Sequence, residues 1–217
     1  MISFKNTGPV MMAIWVLLLL AALVALVLSR WSLAFVSFAT LVLSLVPLFL
    51  ASRWSLKLPV SFLLATTLFC FATIFLGEAF DFYERLWWWD LALHGASAIG
   101  FGLIGFLFVF MLFEGDRFAA PPSAIAFITF CVGMTIGGLW EIFEFLMDKG
   151  LGLNMQKSGL EDTMGDLMIN GIGSIFASLT GYLYLTRGEK SFSGRVLSQF
   201  INLNRRLYQK SKNRLRK

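Results

Sequence analysis

The chemistry available to this chain rests on a few ionisable side chains set at helical spacing in otherwise apolar surroundings. Asp90 and His94 are four residues apart, Glu141 and Glu144 three apart with Asp148 a turn further on, and Asp162, Asp166 and Asn170 follow one another at steps of four. Residues three or four apart share one face of a helix. Three such rows of oxygen and nitrogen donors can close around a cation, and His94, Glu141, Glu144, Asp162 and Asp166 are the candidate ligands. A carboxylate-rich set with one imidazole suits Mg, Mn, Fe or Zn without choosing among them. His94, Glu141 and Glu144 are also the candidate catalytic groups: a bound divalent metal would polarise water or a phosphoryl oxygen, and a carboxylate left over would serve as general base.

Most of these residues also have a structural reading. Asp90 fits a helix cap, with Trp87, Trp88 and Trp89 as interfacial anchors, and a lone histidine near a helix start fits a hydrogen-bonded core residue. The stretch from Thr163 to Asp166 fits a capping box with Asp in the Glu position, so Asp162 and Asp166 could mark nothing more than a helix N-terminus. Glu141 and Glu144 resist such treatment, because they sit near the C-terminal end of their helix, where the dipole repels carboxylates. With a helix start at Ser123, behind Pro121 and Pro122, Glu141 lies about 27 Å along the axis, just inside a hydrocarbon boundary. A charge there needs a partner. A metal, Arg85, Lys149 or Lys157 could supply it, or the two carboxyls could share a proton; a pair solvated at the interface is the remaining alternative.

The elements that position these groups follow from composition. Of 217 residues, 58% are hydrophobic and 14% charged, and the mean hydropathy is +0.76. That balance predicts an all-α, polytopic integral membrane protein and excludes soluble nucleotide-binding and zinc-finger classes. Strands of a β-barrel would alternate apolar and polar residues, which these runs do not. Cys70 and Cys131 both lie in apolar runs, so no disulfide framework is expected. Crossing the bilayer takes roughly 20 apolar residues, and six runs qualify: 10–28, 31–50, 58–76, 91–113, 124–147 and 167–185. The first is longer than a signal-peptide core and reads as a retained anchor, joined to the second by a tight hairpin at Arg30. Residues 1–186 form the expected transmembrane domain, with its core at 87–186. Gly133/Gly137 and Gly173/Ala177/Gly181 keep small-xxx-small spacing, which makes spans four to six the expected compact core and spans one to three a more lipid-facing layer.

Basic residues give the orientation. Lys5, Arg53, Lys57, Arg117 and the tail outnumber Arg30, Arg85, Lys149 and Lys157, so both termini are expected in the cytoplasm. Ten of the thirteen acidic residues then belong to the opposite side, all but Glu114, Asp116 and Glu189. The tail, 187–217, reads as a C-terminal amphipathic basic helix. Phe192, Val196, Phe200, Leu203 and Leu207 make its stripe, flanked by Leu197, Ile201 and Tyr208, and Arg195, Arg205, Arg206, Lys210, Lys212, Arg214, Arg216 and Lys217 surround it. Its expected partner is the anionic lipid headgroup layer, with nucleic acid set aside. A further copy of the chain is the other partner to consider.

At Asp90-x-x-x-His94, Glu141-x-x-Glu144 and Asp162-Thr163-x-x-Asp166 the chain resembles the bacterial inner-membrane families typified by YjdF and, more distantly, VanZ-like proteins. The likeness covers 87–184. It implies a small bacterial-type polytopic protein of the inner membrane whose polar residues recur at these places, and it carries no reaction with it. Three function classes stay open: a metal-dependent enzyme on a lipid or lipid-linked substrate, an ion- or proton-coupled transporter, and a scaffold with a salt-bridged end. The first lacks any complete catalytic motif; the second lacks an evident inverted repeat.

Overall fold

A computed structural model describes residues 8–54, 56–113, 120–188 and 192–204. No strand occurs among them, and six helices are long and apolar enough to cross a bilayer. The protein is an all-α polytopic membrane protein. Its chain divides into two compact units, residues 1–89 and 90–217.

The first unit holds α1 (Pro9–Val27), α2 (Trp31–Arg53), α3 (Val60–Cys70) and the short α4 (Phe82–Arg85). Pro9 opens α1 at a position where its missing N–H costs nothing. Met11, Ile14, Trp15, Leu18, Ala22 and Ala25 recur at steps of three and four and form the buried face of α1. Ser29 takes a left-handed conformation (φ 54°) in the turn to α2, the tight hairpin expected at Arg30. The inner face of α2 is small and hydroxylated: Ala34, Ser37, Thr40 and Ser44 precede Leu48 and Ala51. The third span differs from the plain helix expected over 58–76. It leaves α-helical geometry after Cys70 and continues as a wider π-helical stretch over Phe71–Ala79. Phe75 from that stretch packs with Ile14 and Leu18, while Leu63 joins Met11, Trp15 and Leu48.

The second unit holds α5 (Trp89–Phe113), α6 (Pro122–Leu151), α7 (Leu160–Arg187) and α8 (Phe192–Leu203). Gly152, in the left-handed region at φ 68°, stops α6 and returns its N–H to the Asp148 carbonyl at 3.0 Å. Gly159 takes a positive φ immediately before α7. The sixth span thus starts seven residues before the expected 167, because Leu160 to Asp166 extend the helix past its apolar run. Phe106, Val109, Ile125 and Leu197 form the apolar core, flanked by Tyr184 and Leu185. Leu197 belongs to that core, and Ile201 is also buried, so the flank of the amphipathic tail helix turns toward protein; of the stripe itself, Phe200 is half-buried and Leu203 exposed. The basic tail residues beyond Asn204, with Leu207 and Tyr208, lie outside the described residues, as do Lys5, Glu114, Asp116, Arg117 and Glu189.

Candidate metal centre

Small residues set the register that builds this site. A methyl group at Gly133 would overlap Ser174, and one at Gly137 would overlap the Asn170 amide, so α6 and α7 run antiparallel in close approach. One turn further along each helix, that register sets Glu141 level with Asp166. Gly173 in turn admits the backbone of α5 at Gly95 and the Ala98 side chain, and Gly181 admits Phe106, which makes α5 and α7 parallel. Followed back along the pair, this alignment brings His94 beside Asn170 and Asp90 level with Asp166. The start of α5, the end of α6 and the start of α7 therefore meet at one end of the bundle.

His94 is the centre of that end. Its Nε2 stands 3.6 Å from Asp90 Oδ1 and 3.9 Å from Asp166 Oδ2, and its Nδ1 stands 3.6 Å from Glu141 Oε1. Asn170 Nδ2 is 3.5 Å from Nδ1. Glu144 completes a second set, since one donor atom each from His94, Glu141 and Glu144 lie within 4.8 Å of one another, as do donors from Asp90, His94 and Asp166. The groups are deeply buried: Glu141 is 4% exposed, Asp166 2% and Asn170 0%. Asp90 and Asp162 are half-buried. Oδ2 of Asp162, Oδ2 of Asp166, Oδ1 of Asn170 and Oγ of Ser174 are shielded from solvent and make no hydrogen bond; both oxygens of Glu141 are shielded too and make none of good geometry, with only the Thr163 hydroxyl and the Gln156 amide near by. Unsatisfied carboxylate oxygens in such a place are costly.

All five sequence-derived ligands thus gather at this end, four of them in the two donor sets and Asp162 beside them. The structural alternatives divide. Thr163 is not a cap: Gly159 occupies that position, and the Thr163 hydroxyl, a turn inside α7, accepts a hydrogen bond from Gln156 Nε2 at 2.7 Å. Asp148 leaves the row of Glu141 and Glu144, because its carboxylate accepts the backbone N–H groups of Met155 at 2.7 Å and Gln156 at 2.9 Å and so ties the loop to α6. Of the expected neutralising cations, Arg85 pairs with Asp81 at 3.6 Å and Lys149 lies 5.8 Å from the Phe145 ring centroid. Lys157 exerts its charge on Asp90 and Asp162.

A family model described as "predicted membrane protein (DUF2238)" matches residues 11–187. The chain belongs to this family. The DUF2238 match takes in all of the first span but its first two residues, the whole of the other five, and every residue of the cluster. Among curated proteins, an uncharacterised protein of Thermotoga maritima is 34% identical over 98 residues, 45% of this chain and 50% of that protein. The chain thus spans about half the length of the curated relative it matches. No solved structure matches.

Two contributors to this DUF2238 end went unread in the sequence. Trp140 donates its indole N–H to Glu144 Oε1 at 2.9 Å, an i,i+4 bond that fixes one carboxylate. Gln156 bridges Thr163 and, at 3.5 Å, the Glu141 carbonyl. The Trp140 to Glu144 spacing was a legible signal; the Gln156 contacts depend on a loop conformation that spacing does not encode.

Proposed function

We propose that this end of the bundle is a divalent-metal centre, and that the protein is a metal-dependent enzyme acting on a phosphate ester of a lipid or lipid-linked substrate. One observation carries the reading: a single imidazole stands 3.6 to 3.9 Å from carboxylates on three helices. N–H···O hydrogen bonds are about 2.7 to 3.2 Å long. Donors bound to one ion at about 2.0 to 2.2 Å stand roughly 3.0 to 3.6 Å from one another. The two 3.6 Å approaches sit at the upper end of that range and the 3.9 Å approach just beyond it, and all three are too long for direct bonding.

A divalent cation here would polarise a phosphoryl oxygen and acidify water. A carboxylate that the ion leaves free would be the general base; it takes the proton of the attacking water as the new O–P bond forms. The ester O–P bond then breaks, and the departing alkoxide recovers a proton to leave as an alcohol. Asp90 and Asp162 form the rim through which ion and headgroup would enter. Trp140, Ile142, Phe143, Phe145 and Leu146 are exposed on α6 at the level of the two glutamates. That apolar surface supports a substrate with an acyl or prenyl tail arriving sideways from the bilayer.

A second reading, cation passage, is favoured by one feature. Asn170 and Ser174 continue inward from Asp166 along α7, wholly buried, with Oδ1 and Oγ unpartnered. The motif likeness to YjdF-like proteins is consistent with the family match and supports a bacterial inner membrane. Charge bias supports cytoplasmic termini and a basic tail whose partner is the anionic headgroup layer.

Metal analysis of the detergent-purified chain, wild type beside Glu141→Gln and His94→Ala, tests the centre. Stoichiometric metal in wild type, reduced in Glu141→Gln and lost in His94→Ala, is the expected result; metal-free wild type after incubation with Mg, Mn, Fe and Zn overturns it. Phosphate release from phosphatidic acid or a polyprenyl phosphate in mixed micelles supports the enzyme. Cation flux in proteoliposomes abolished by Glu144→Gln, without phosphate release, replaces it with transport.

A further inference from the structure

The cluster is built as two donor sets around one imidazole. Asp90 and Asp166 face Nε2, Glu141 faces Nδ1, and Glu144 joins the Glu141 side. The lone-pair directions of the two ring nitrogens diverge, so no single ion can take both. In a mononuclear site the second nitrogen ordinarily donates its N–H to a carboxylate and orients the ring, at the length of a charge-assisted bond, about 2.7 to 2.9 Å. Neither side of His94 shows such a bond: the shortest carboxylate approach is 3.6 Å on both. Resting on the metal reading above, we infer that the centre holds two divalent cations, one on each nitrogen of a bridging His94 imidazolate.

Charge and donor supply both favour a pair. Asp90, Glu141, Glu144, Asp162 and Asp166 bring up to five negative charges to this end once a cation draws off their protons, and Lys157 answers part of that at Asp90 and Asp162. With Lys157 counted, one divalent ion would leave half of that deficit buried, whereas two ions, against five carboxylates and an imidazolate, would leave about one negative charge. Each side also has an unused donor beyond the acidic cluster itself. Asn170, 0% exposed, has an unpartnered Oδ1, and a half-turn of its amide would bring that oxygen to the place where Nδ2 meets Nδ1. Asp166 Oδ2 and Asp162 Oδ2 are unpartnered and solvent-shielded where α7 begins. The Nδ1 ion would take Glu141, Glu144 and Asn170; the Nε2 ion would take Asp90 and Asp166, with Asp162 near by. A ring between the ions sets them farther apart than the about 3.5 to 4 Å of water-bridged pairs.

The test uses the full chain in detergent, loaded with Mn²⁺ and freed of excess. Two Mn²⁺ per chain and an exchange-coupled electron paramagnetic resonance spectrum are expected. Asp166→Asn and Glu141→Gln should each retain one uncoupled Mn²⁺, and His94→Ala should lose the coupling altogether. One magnetically isolated Mn²⁺ in wild type would overturn the pair while leaving a mononuclear centre standing. None at all would overturn both. The wild-type measurement decides without reliance on any variant folding.

Discussion

Both units bury polar side chains within membrane-spanning helices, but α2 of the first and the acidic end of the second treat them in opposite ways. In the first unit Ser37, Thr40 and Ser44 are buried on α2, and each hydroxyl donates to a carbonyl three or four residues back: Leu33 at 2.7 Å, Val36 at 2.7 Å and Leu41 at 2.8 Å. In the second, Glu141, Asp166, Asn170 and Ser174 are equally buried and keep atoms with no partner. A hydroxyl carries its own donor and can satisfy itself on the helix that bears it. An ionised carboxylate has only acceptors, and its own helix offers no free N–H past the first turn. Polarity on α2 is therefore self-contained, while polarity at the α5–α7 end calls for something from outside the chain.

The largest expected effect breaks this contrast from the second side. Stripping metal from the purified chain with a chelator should lower its thermal midpoint in detergent by on the order of 10 °C, as about 3 kcal/mol of linkage is lost from a domain of this size. His94→Ala should lie at the stripped value and no longer respond to chelator. An unchanged midpoint in wild type would mean that the carboxylates need no cation. Next comes the register. Gly137→Leu drives a side chain into the Asn170 amide, and should destabilise by about 1 to 3 kcal/mol while also lowering metal content, since it parts α6 from α7 at the turn below Glu141. Thermal unfolding and metal analysis of the same sample check both halves.

Much of this architecture could be read from the sequence, for identifiable reasons. The spans were legible because hydrocarbon tolerates only long apolar helices, and the convergence of Asp90, His94, Glu141, Glu144, Asp162 and Asp166 because carboxylates are expensive enough to be placed deliberately. The helix limits were harder. Leu160 to Asp166 are too polar to look like membrane helix, yet they continue α7, so the capping motif at Thr163 was a false boundary. Asp148 shares the spacing of Glu141 and Glu144 but serves the loop, a role set by where the Met155 and Gln156 N–H groups point. The π-helical course of Phe71–Ala79 leaves no mark in apolar periodicity. The tail helix showed its stripe but not which flank meets protein, because Leu197 and Phe200 are equally apolar and only packing separates them.

A finer test asks how the second unit holds its donors once a cation is present. Trp140→Phe keeps the ring and removes only the N–H that Glu144 Oε1 accepts. Metal stoichiometry should stay as in wild type, with affinity reduced about 10- to 100-fold, the usual cost of losing a partner of a ligating group. Competition against a graded chelator reads this directly. Unaltered affinity would show that Glu144 is not a ligand.

The smallest effect is expected where the first unit needs nothing. Thr40→Ala deletes a wholly buried hydroxyl together with its bond to the Val36 carbonyl, and that carbonyl keeps its place in the helix ladder. Donor and side-chain acceptor disappear as one group, so no orphan is left behind, in contrast to Glu141→Gln, which leaves its surroundings just as polar. The change should cost no more than about 1 kcal/mol and should leave metal content untouched. A large loss of stability from Thr40→Ala would show that the α2 hydroxyls hold more than their own helix, and the difference in kind between the two units would reduce to one of degree.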